Sequence, residues 1–223
     1  MIPRLLAMLT YNDRTVENAI QVFEQCRESA AAYWGFKDVG IDLPTMKELI
    51  NRIRIAGKFT VFEVLSENEE ECLDAARMAL QAEVDLLIGM KHFDPVYKLL
   101  KSRRTKYFPT CGKRSGIPRM LEGTVEEIIK EAKEIEGAGV EGIALSAYRY
   151  TGNQEELMKS FLQEIKISTI ITGSINTYQR LDVIKSLNPW GFTVGSAFFD
   201  KAFDKNADFM GQVEEVLRYL RSS

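Results

Sequence analysis

Short apolar runs and amphipathic runs alternate along the whole chain. Residues 4–9, 31–36, 59–65, 84–90, 106–110 and 140–146 are short, apolar and rich in β-branched or aromatic side chains, as buried strands are. Residues 169–175 and 191–198 hold a seventh and an eighth strand, each ending in a Gly-Ser pair. Helical spacing fills the intervals. Val16, Ile20, Val22, Phe23 and Cys26 set the first helix within 15–29, and Asp42-Leu43-Pro44 opens a second that runs to Ile55 before Gly57. Further helices are predicted over 68–82, from Asp94-Pro95 onward, over 124–136, 154–165 and 177–187, and a closing one over 209–221. Eight strands alternating with eight helices predict an α/β chain folded as a parallel, closed (β/α)8 barrel, a TIM barrel.

That architecture locates the chemistry. In such barrels the reacting groups stand at the strand C-termini, and a phosphate often sits beyond strands seven and eight. Gly173-Ser174 and Gly195-Ser196 occupy those two positions. Glycine lets the backbone approach a ligand, and adjacent N–H groups suit an anion. Gly173, Ser174, Gly195 and Ser196 are therefore the expected phosphate cup. The loop 111–123 after strand five reads Cys-Gly-Lys-Arg-Ser-Gly-Ile-Pro-Arg-Met-Leu-Glu-Gly. Its length and its Lys113, Arg114 and Arg119 suit a lid over an anionic ligand.

Among groups at strand ends, Asn12, Asp13, Lys37, Asp38, Glu63, Lys91, His92, Cys111, Tyr148 and Arg149 are candidates. Phe59, Val61, Glu63 and Leu65 share one strand face by the two-residue period, and a carboxylate in so apolar a strand needs a partner. Lys91, on the next strand and on the face of Gly89, is the expected one. The pair would act as an amine nucleophile and a proton carrier on a ketose or keto acid. A lysine on strand four with a carboxylate on strand three is similar in position to transaldolase; a structural ion pair at the rim is the other reading. Lys37 is the alternative amine, although Gly40 and Asp42 mark a turn there and read Lys37-Asp38 as a solvated pair. His92 reads as a helix-start residue beside Asp94, and Cys111 as an incidental thiol.

The C-terminal third resembles the ribulose-phosphate-binding group of β/α barrels. Gly173-Ser174-Ile175-Asn176-Thr177 and Thr193-Val194-Gly195-Ser196-Ala197 resemble the phosphate-binding ends of N-acetylmannosamine-6-phosphate epimerases. Strands four to eight also resemble the glycerol-uptake antiterminator barrels, a regulatory family. The likeness covers roughly residues 84–203. Where the epimerase pattern has a lysine on strand three and a glutamate after strand seven, this chain has Phe62-Glu63-Val64 and Thr172-Gly173-Ser174. The resemblance therefore implies a phosphate site rather than the epimerase reaction.

Composition adds limits. The 223 residues suit one barrel domain spanning 1–223, and a net charge of −3 favours neither nucleic acid nor an anionic membrane as partner. Cys26, Cys72 and Cys111 have no metal-like spacing, and no cofactor motif is present; free thiols and the lack of a leader or spanning run lead us to expect a cytoplasmic protein. The expected partner is a phosphorylated small molecule, with a homo-oligomer left open. We expect an aldolase or isomerase acting on a small phosphorylated sugar or keto acid; the alternative is a sensor that binds such a metabolite without turnover.

Overall fold

The computed structural model describes residues 2–116 and 118–222. Its barrel strands are β1 Arg4–Met8, β2 Tyr33–Lys37, β3 Phe59–Glu63, β4 Leu86–Lys91, β5 Lys106–Thr110, β6 Gly142–Leu145, β7 Ser168–Ile171 and β8 Gly191–Val194. They pair in parallel in the order β1-β8-β7-β6-β5-β4-β3-β2, and β2 closes back on β1. This is the expected TIM barrel. The helices are α1 Ala19–Cys26, α2 Leu43–Ile55, α3 Glu69–Gln81, α4 Asp94–Leu100, α5 Val125–Ala138, α6 Gln154–Glu164, α7 Tyr178–Leu187, the short α8 Ser196–Phe199 and α9 Phe209–Arg221. Among the described residues no helix is long and apolar enough to cross a membrane.

Alternation along each strand divides the core. Leu6, Val61, Leu86, Ile88, Phe108, Ala144 and Ile170 fill the barrel interior, with Tyr33 and Trp190 packed below them. Trp34, Phe36, Phe62, Leu87, Ile143, Ile171 and Phe192 turn outward against the helices. Each fully buried side chain of this size contributes about 1.5–3 kcal/mol. The helix starts are capped as their sequences indicate. Asp42 accepts from the Thr45 N–H at 2.8 Å, and Thr124 and Glu127 form a reciprocal capping box. At the base, buried Asp85 accepts from both the N–H and the hydroxyl of Thr60 at 2.9 Å, tying β4 to β3.

Two segments differ from the sequence-based expectation. The first helix starts at Ala19 rather than near residue 15, because Thr10–Tyr11 and Arg14–Thr15 form an antiparallel hairpin. The loop after β5 is not open: Lys113–Ser115 pairs antiparallel with Met120–Glu122. Both hairpins stand at the C-terminal mouth.

Candidate functional site

The hairpin after β1 turns on Asn12 and Asp13, with φ of 47° and 61°. Two successive left-handed residues in a two-residue turn are what Asn and Asp tolerate best among non-glycine residues. The Thr15 hydroxyl fastens this hairpin to the end of β2: it accepts from the Lys37 N–H at 2.8 Å and donates to the Lys37 carbonyl at 2.7 Å. The turn thus delivers the Asp13 carboxylate to the Lys37 side chain.

Lys37 is the buried amine of the mouth, only 5% exposed, and not the solvated residue expected beside a turn. Its Nζ donates to Asp13 Oδ1 at 2.7 Å and stands 3.5 Å from Glu63 Oε2. Glu63 is itself 7% exposed, so each buried charge has an opposite one. Arg149, in the 3-10 turn Ala147–Arg149 after β6, donates from Nη2 to the same Asp13 oxygen at 2.9 Å. Burial alone would push the Asp13 carboxyl up, but the Arg149 and Lys37 hydrogen bonds and charges outweigh it and hold it at about 2. Burial raises the neighbouring Asp38 carboxyl above its ordinary value.

The expected Lys91–Glu63 pair is not formed. Gly89 takes φ +91°, and the register of β4 on β5 slips between Ile88 and Lys91: three steps along β4 match two along β5. This β-bulge reverses the parity of the strand beyond it. Met90 turns out into the helix-side core and Lys91 is exposed, its Nζ 5.9 Å over the Phe93 ring. Gly89 itself backs onto Glu63, since a Cβ there would stand 3.1 Å from Glu63 Cγ and 3.0 Å from the Val64 carbonyl oxygen. The glycine makes room for the carboxylate, and Lys37 supplies the charge.

Gly173, Ser174, Gly195 and Ser196 line a single cavity of ≈ 160 Å³, together with Asp13, Lys37, Glu63, Arg149, Arg114 and Arg119. That volume is below the ~300–1,000 Å³ of drug-sized pockets. Gly173 needs its φ of +107°, and its open side faces Arg149, whose Cγ would lie 3.4 Å from a Cβ. Gly195 packs on the first hairpin, where a Cβ would meet Thr10 Oγ1 at 2.6 Å. The Asn12 N–H donates to Ser196 Oγ at 3.1 Å, so the hairpin also touches the rim of this cup. Arg180, which the sequence does not single out, donates to the Ser174 carbonyl and to Asn176 Oδ1, and its guanidinium lies 4.6 Å over the Tyr148 ring.

The three basic residues of the second hairpin separate. Arg114 turns inward and Arg119 lines the same cavity, whereas Lys113 is exposed beside Glu122 at 3.5 Å. Arg114 donates from Nε to Glu67 at 3.0 Å and from Nη1 to the Gly89 carbonyl at 2.9 Å. A side cavity of ≈ 190 Å³ on the far side of Arg114 takes in Lys91 and Lys113. Cys111 and His92 do not line the main cavity. The Cys111 thiol is fully buried and pushed up by desolvation, and His92, 3.6 Å from Asp94, is pushed down by its own.

Asp13 and Arg149 stand among many strand-end residues in the sequence, and their meeting across 136 positions has no local signal. The Asn12-Asp13 turn between Thr10 and Thr15 is the one hint of a hairpin that the chain carries. Glu67, which holds two arginines, reads only as part of an acidic helix start.

Solved structures agree on the architecture. The chain is similar to N-(5'-phosphoribosyl)anthranilate isomerase from Pyrococcus furiosus, with 14% identity, a TM-score of 0.67 and 98% of each chain covered. It is similar to orotidine 5'-phosphate decarboxylase from Pyrococcus horikoshii at 12% identity and a TM-score of 0.69, covering 98% of this chain and all of the other. A tryptophan synthase chain from M. tuberculosis matches at 13% identity and a TM-score of 0.71, over 99% of this chain and 94% of that one. At these identities the likeness establishes the (β/α)8 fold. No protein-family model matches the chain, and no curated protein matches it.

Proposed function

We propose that the mouth of this barrel binds a small phosphorylated sugar or keto acid and catalyses an isomerase- or aldolase-type reaction at the carbons beside its carbonyl. The observation that carries this reading is Lys37, held 2.7 Å from Asp13 and 3.5 Å from Glu63 in the cavity that the two Gly-Ser strand ends also line. Two of the solved barrels similar to the chain are named for phosphate-bearing compounds, which supports a phosphate in the cup.

In this reading the backbone at Gly173–Ser174 and Gly195–Ser196, with Arg149, holds the phosphate. The Glu63 carboxylate takes the proton from the carbon beside the carbonyl. The Lys37 ammonium delivers one to the carbonyl oxygen, giving an enediol and leaving a neutral amine and a carboxylic acid. Reversal at the neighbouring carbon completes an isomerisation. Asp13 positions Lys37. The hydrogen bond to Asp13 and the contact with Glu63 fix Lys37 Nζ in place, as a proton carrier that must meet one oxygen requires.

The test is a screen of phosphorylated ketoses, aldoses and keto acids in deuterium oxide, read by proton NMR at the carbon beside the carbonyl. Label enters in the parent and not in Lys37→Met or Glu63→Gln, while Ser196→Asp, which sets a negative charge in the cup, weakens binding. Tight binding of such a compound with no exchange and no turnover identifies a sensor. Failure of every phosphorylated compound to bind sinks the assignment.

A further inference from the structure

We infer that the ligand carries a second anionic group, a carboxylate, and that Arg114 and Arg119 receive it on the wall opposite the Gly-Ser cup. The inference rests on the reading above and narrows its substrate class to a phosphorylated acid.

The Arg114 side chain is 3% exposed. Two of its nitrogens are engaged, Nε by Glu67 and Nη1 by the Gly89 carbonyl. The third, Nη2, is buried and has no hydrogen-bond partner among the described residues. A guanidinium carries five N–H donors in one fixed plane, so a side chain held at Nε and Nη1 keeps three, two of them on Nη2, on a residue that lines the main cavity. Arg119 lines the same cavity and lies 3.3 Å from Glu67 Oε1, the oxygen that Arg114 already holds at 3.0 Å. Two guanidiniums therefore share one carboxylate oxygen, and between them they keep donors for another. Forked donors of this kind match the two oxygens of a carboxylate.

Position supplies the second argument. Going round the barrel, β4 is four strands from β8, and β3 is four strands from β7. Arg114 is anchored on Gly89 of β4 and on Glu67 just beyond β3, so this cationic wall faces the Gly-Ser cup directly across the mouth. Lys37 and Glu63, at the ends of β2 and β3, flank the space between. A short ligand held by phosphate on one wall and carboxylate on the other would lay its central carbons beside Lys37, and a cavity of ≈ 160 Å³ allows only a few carbons between the two anions.

Isothermal titration of inorganic phosphate, glycerol phosphate and phosphoglycerate separates the possibilities, since the last two differ by a carboxylate in place of a hydroxymethyl group. The parent binds phosphoglycerate about tenfold or more tightly than glycerol phosphate. The gap closes in Arg119→Gln, whose side chain is half-exposed in the parent, and in Arg114→Lys, which keeps the charge and loses the fork. Inorganic phosphate binds all three proteins alike. Equal affinity for the two organic phosphates in the parent overturns the inference and leaves the phosphate cup standing. So does a loss in the variants that is as large for glycerol phosphate as for phosphoglycerate. Failure of all three compounds to bind the parent removes the cup and this inference with it.

Discussion

Asp13 and Arg149 are joined by a 2.9 Å ion pair across 136 residues of chain. One belongs to the hairpin that follows β1 and the other to the turn that follows β6, so the pair spans the ends of β7 and β8, where the Gly-Ser cup lies. The oxygen that Arg149 holds is the one that Lys37 holds. An anion drawn to Arg149 therefore competes with the carboxylate that positions the buried amine.

The first prediction concerns acid. The Asp13 carboxyl is held at about 2 against an ordinary 3.8. A folded value below the unfolded one gives stability that is complete above the unfolded value and fades as pH falls toward the folded one. A shift of nearly two pK units is worth about 2.5 kcal/mol, reduced to about 1–2 kcal/mol by the partial exposure of the pair. Asp13→Asn should therefore lose stability at neutral pH and lose less than the parent between about pH 4 and pH 2. Urea melts at several pH values test this, and parallel stability curves for the two proteins would refute it.

The second concerns Lys37 and its carboxylates. Lys37→Met strands Glu63, which is 7% exposed, without its cation, and should cost about 3 kcal/mol in denaturant unfolding. Adding Glu63→Gln removes the stranded charge, so the double variant should recover part of that loss. Lys91→Ala should change stability by no more than about 0.5 kcal/mol, as exposed positions do, and should leave exchange activity intact. Strictly additive losses would show that Lys37 and Glu63 are not coupled.

The barrel is legible in the chain because each strand is buried on both faces, so apolar runs mark it wherever they fall. The Gly-Ser ends are legible as positions at the mouth, because each stands just beyond a strand. Pairing at the mouth is not legible, and Gly89 shows why. The period of two carries a side chain's direction only as far as the first bulge, and one left-handed glycine moves Lys91 from the cavity to solvent. Lys37 is obscured from the other direction. Its turn signals are genuine, but the Thr15 hydroxyl and the Asp13 carboxylate come from a hairpin at which the Asn12-Asp13 dipeptide alone hints. Arg114 reads as a loop cation because its anchors, Glu67 and the Gly89 carbonyl, are contacts at long range.

The third prediction follows from that glycine. Gly89→Ala sets a side chain on a residue with φ of +91°, 3.0 Å from the Val64 carbonyl oxygen and 3.1 Å from Glu63 Cγ. Backbone strain and crowding together should cost about 2 kcal/mol in thermal or denaturant unfolding. The same methyl pushes on Glu63, so exchange activity should fall further than stability explains. Gly57→Ala is the control. That residue also has positive φ, yet nothing lies within 4 Å of its Cβ position. A Gly89→Ala variant no less stable than Gly57→Ala would mean that the bulge is not a fixed feature.

The last prediction concerns the hairpin after β5 as a cover over the ligand. Its base is tied down: Gly112 N–H donates to Glu131 at 2.9 Å, Thr151 N–H donates to the Leu121 carbonyl at 3.0 Å, and Arg114 is buried. Its far end carries Arg119, 40% exposed and, among the described residues, ion-paired to Glu67. An exposed arginine at this end is open to protease, so a trypsin cut should fall after Arg119 while the bond after the buried Arg114 resists. A ligand anion on the cavity side of Arg119 adds a contact that opening must break. Cleavage should then slow in proportion to occupancy, with phosphoglycerate protecting at concentrations that saturate binding. Arg119→Lys keeps the trypsin site and loses the fork, so the ligand should protect it less. If saturating phosphoglycerate binds and the cut after Arg119 proceeds at its unliganded rate, the hairpin does not close over the cavity and Arg119 is a surface residue.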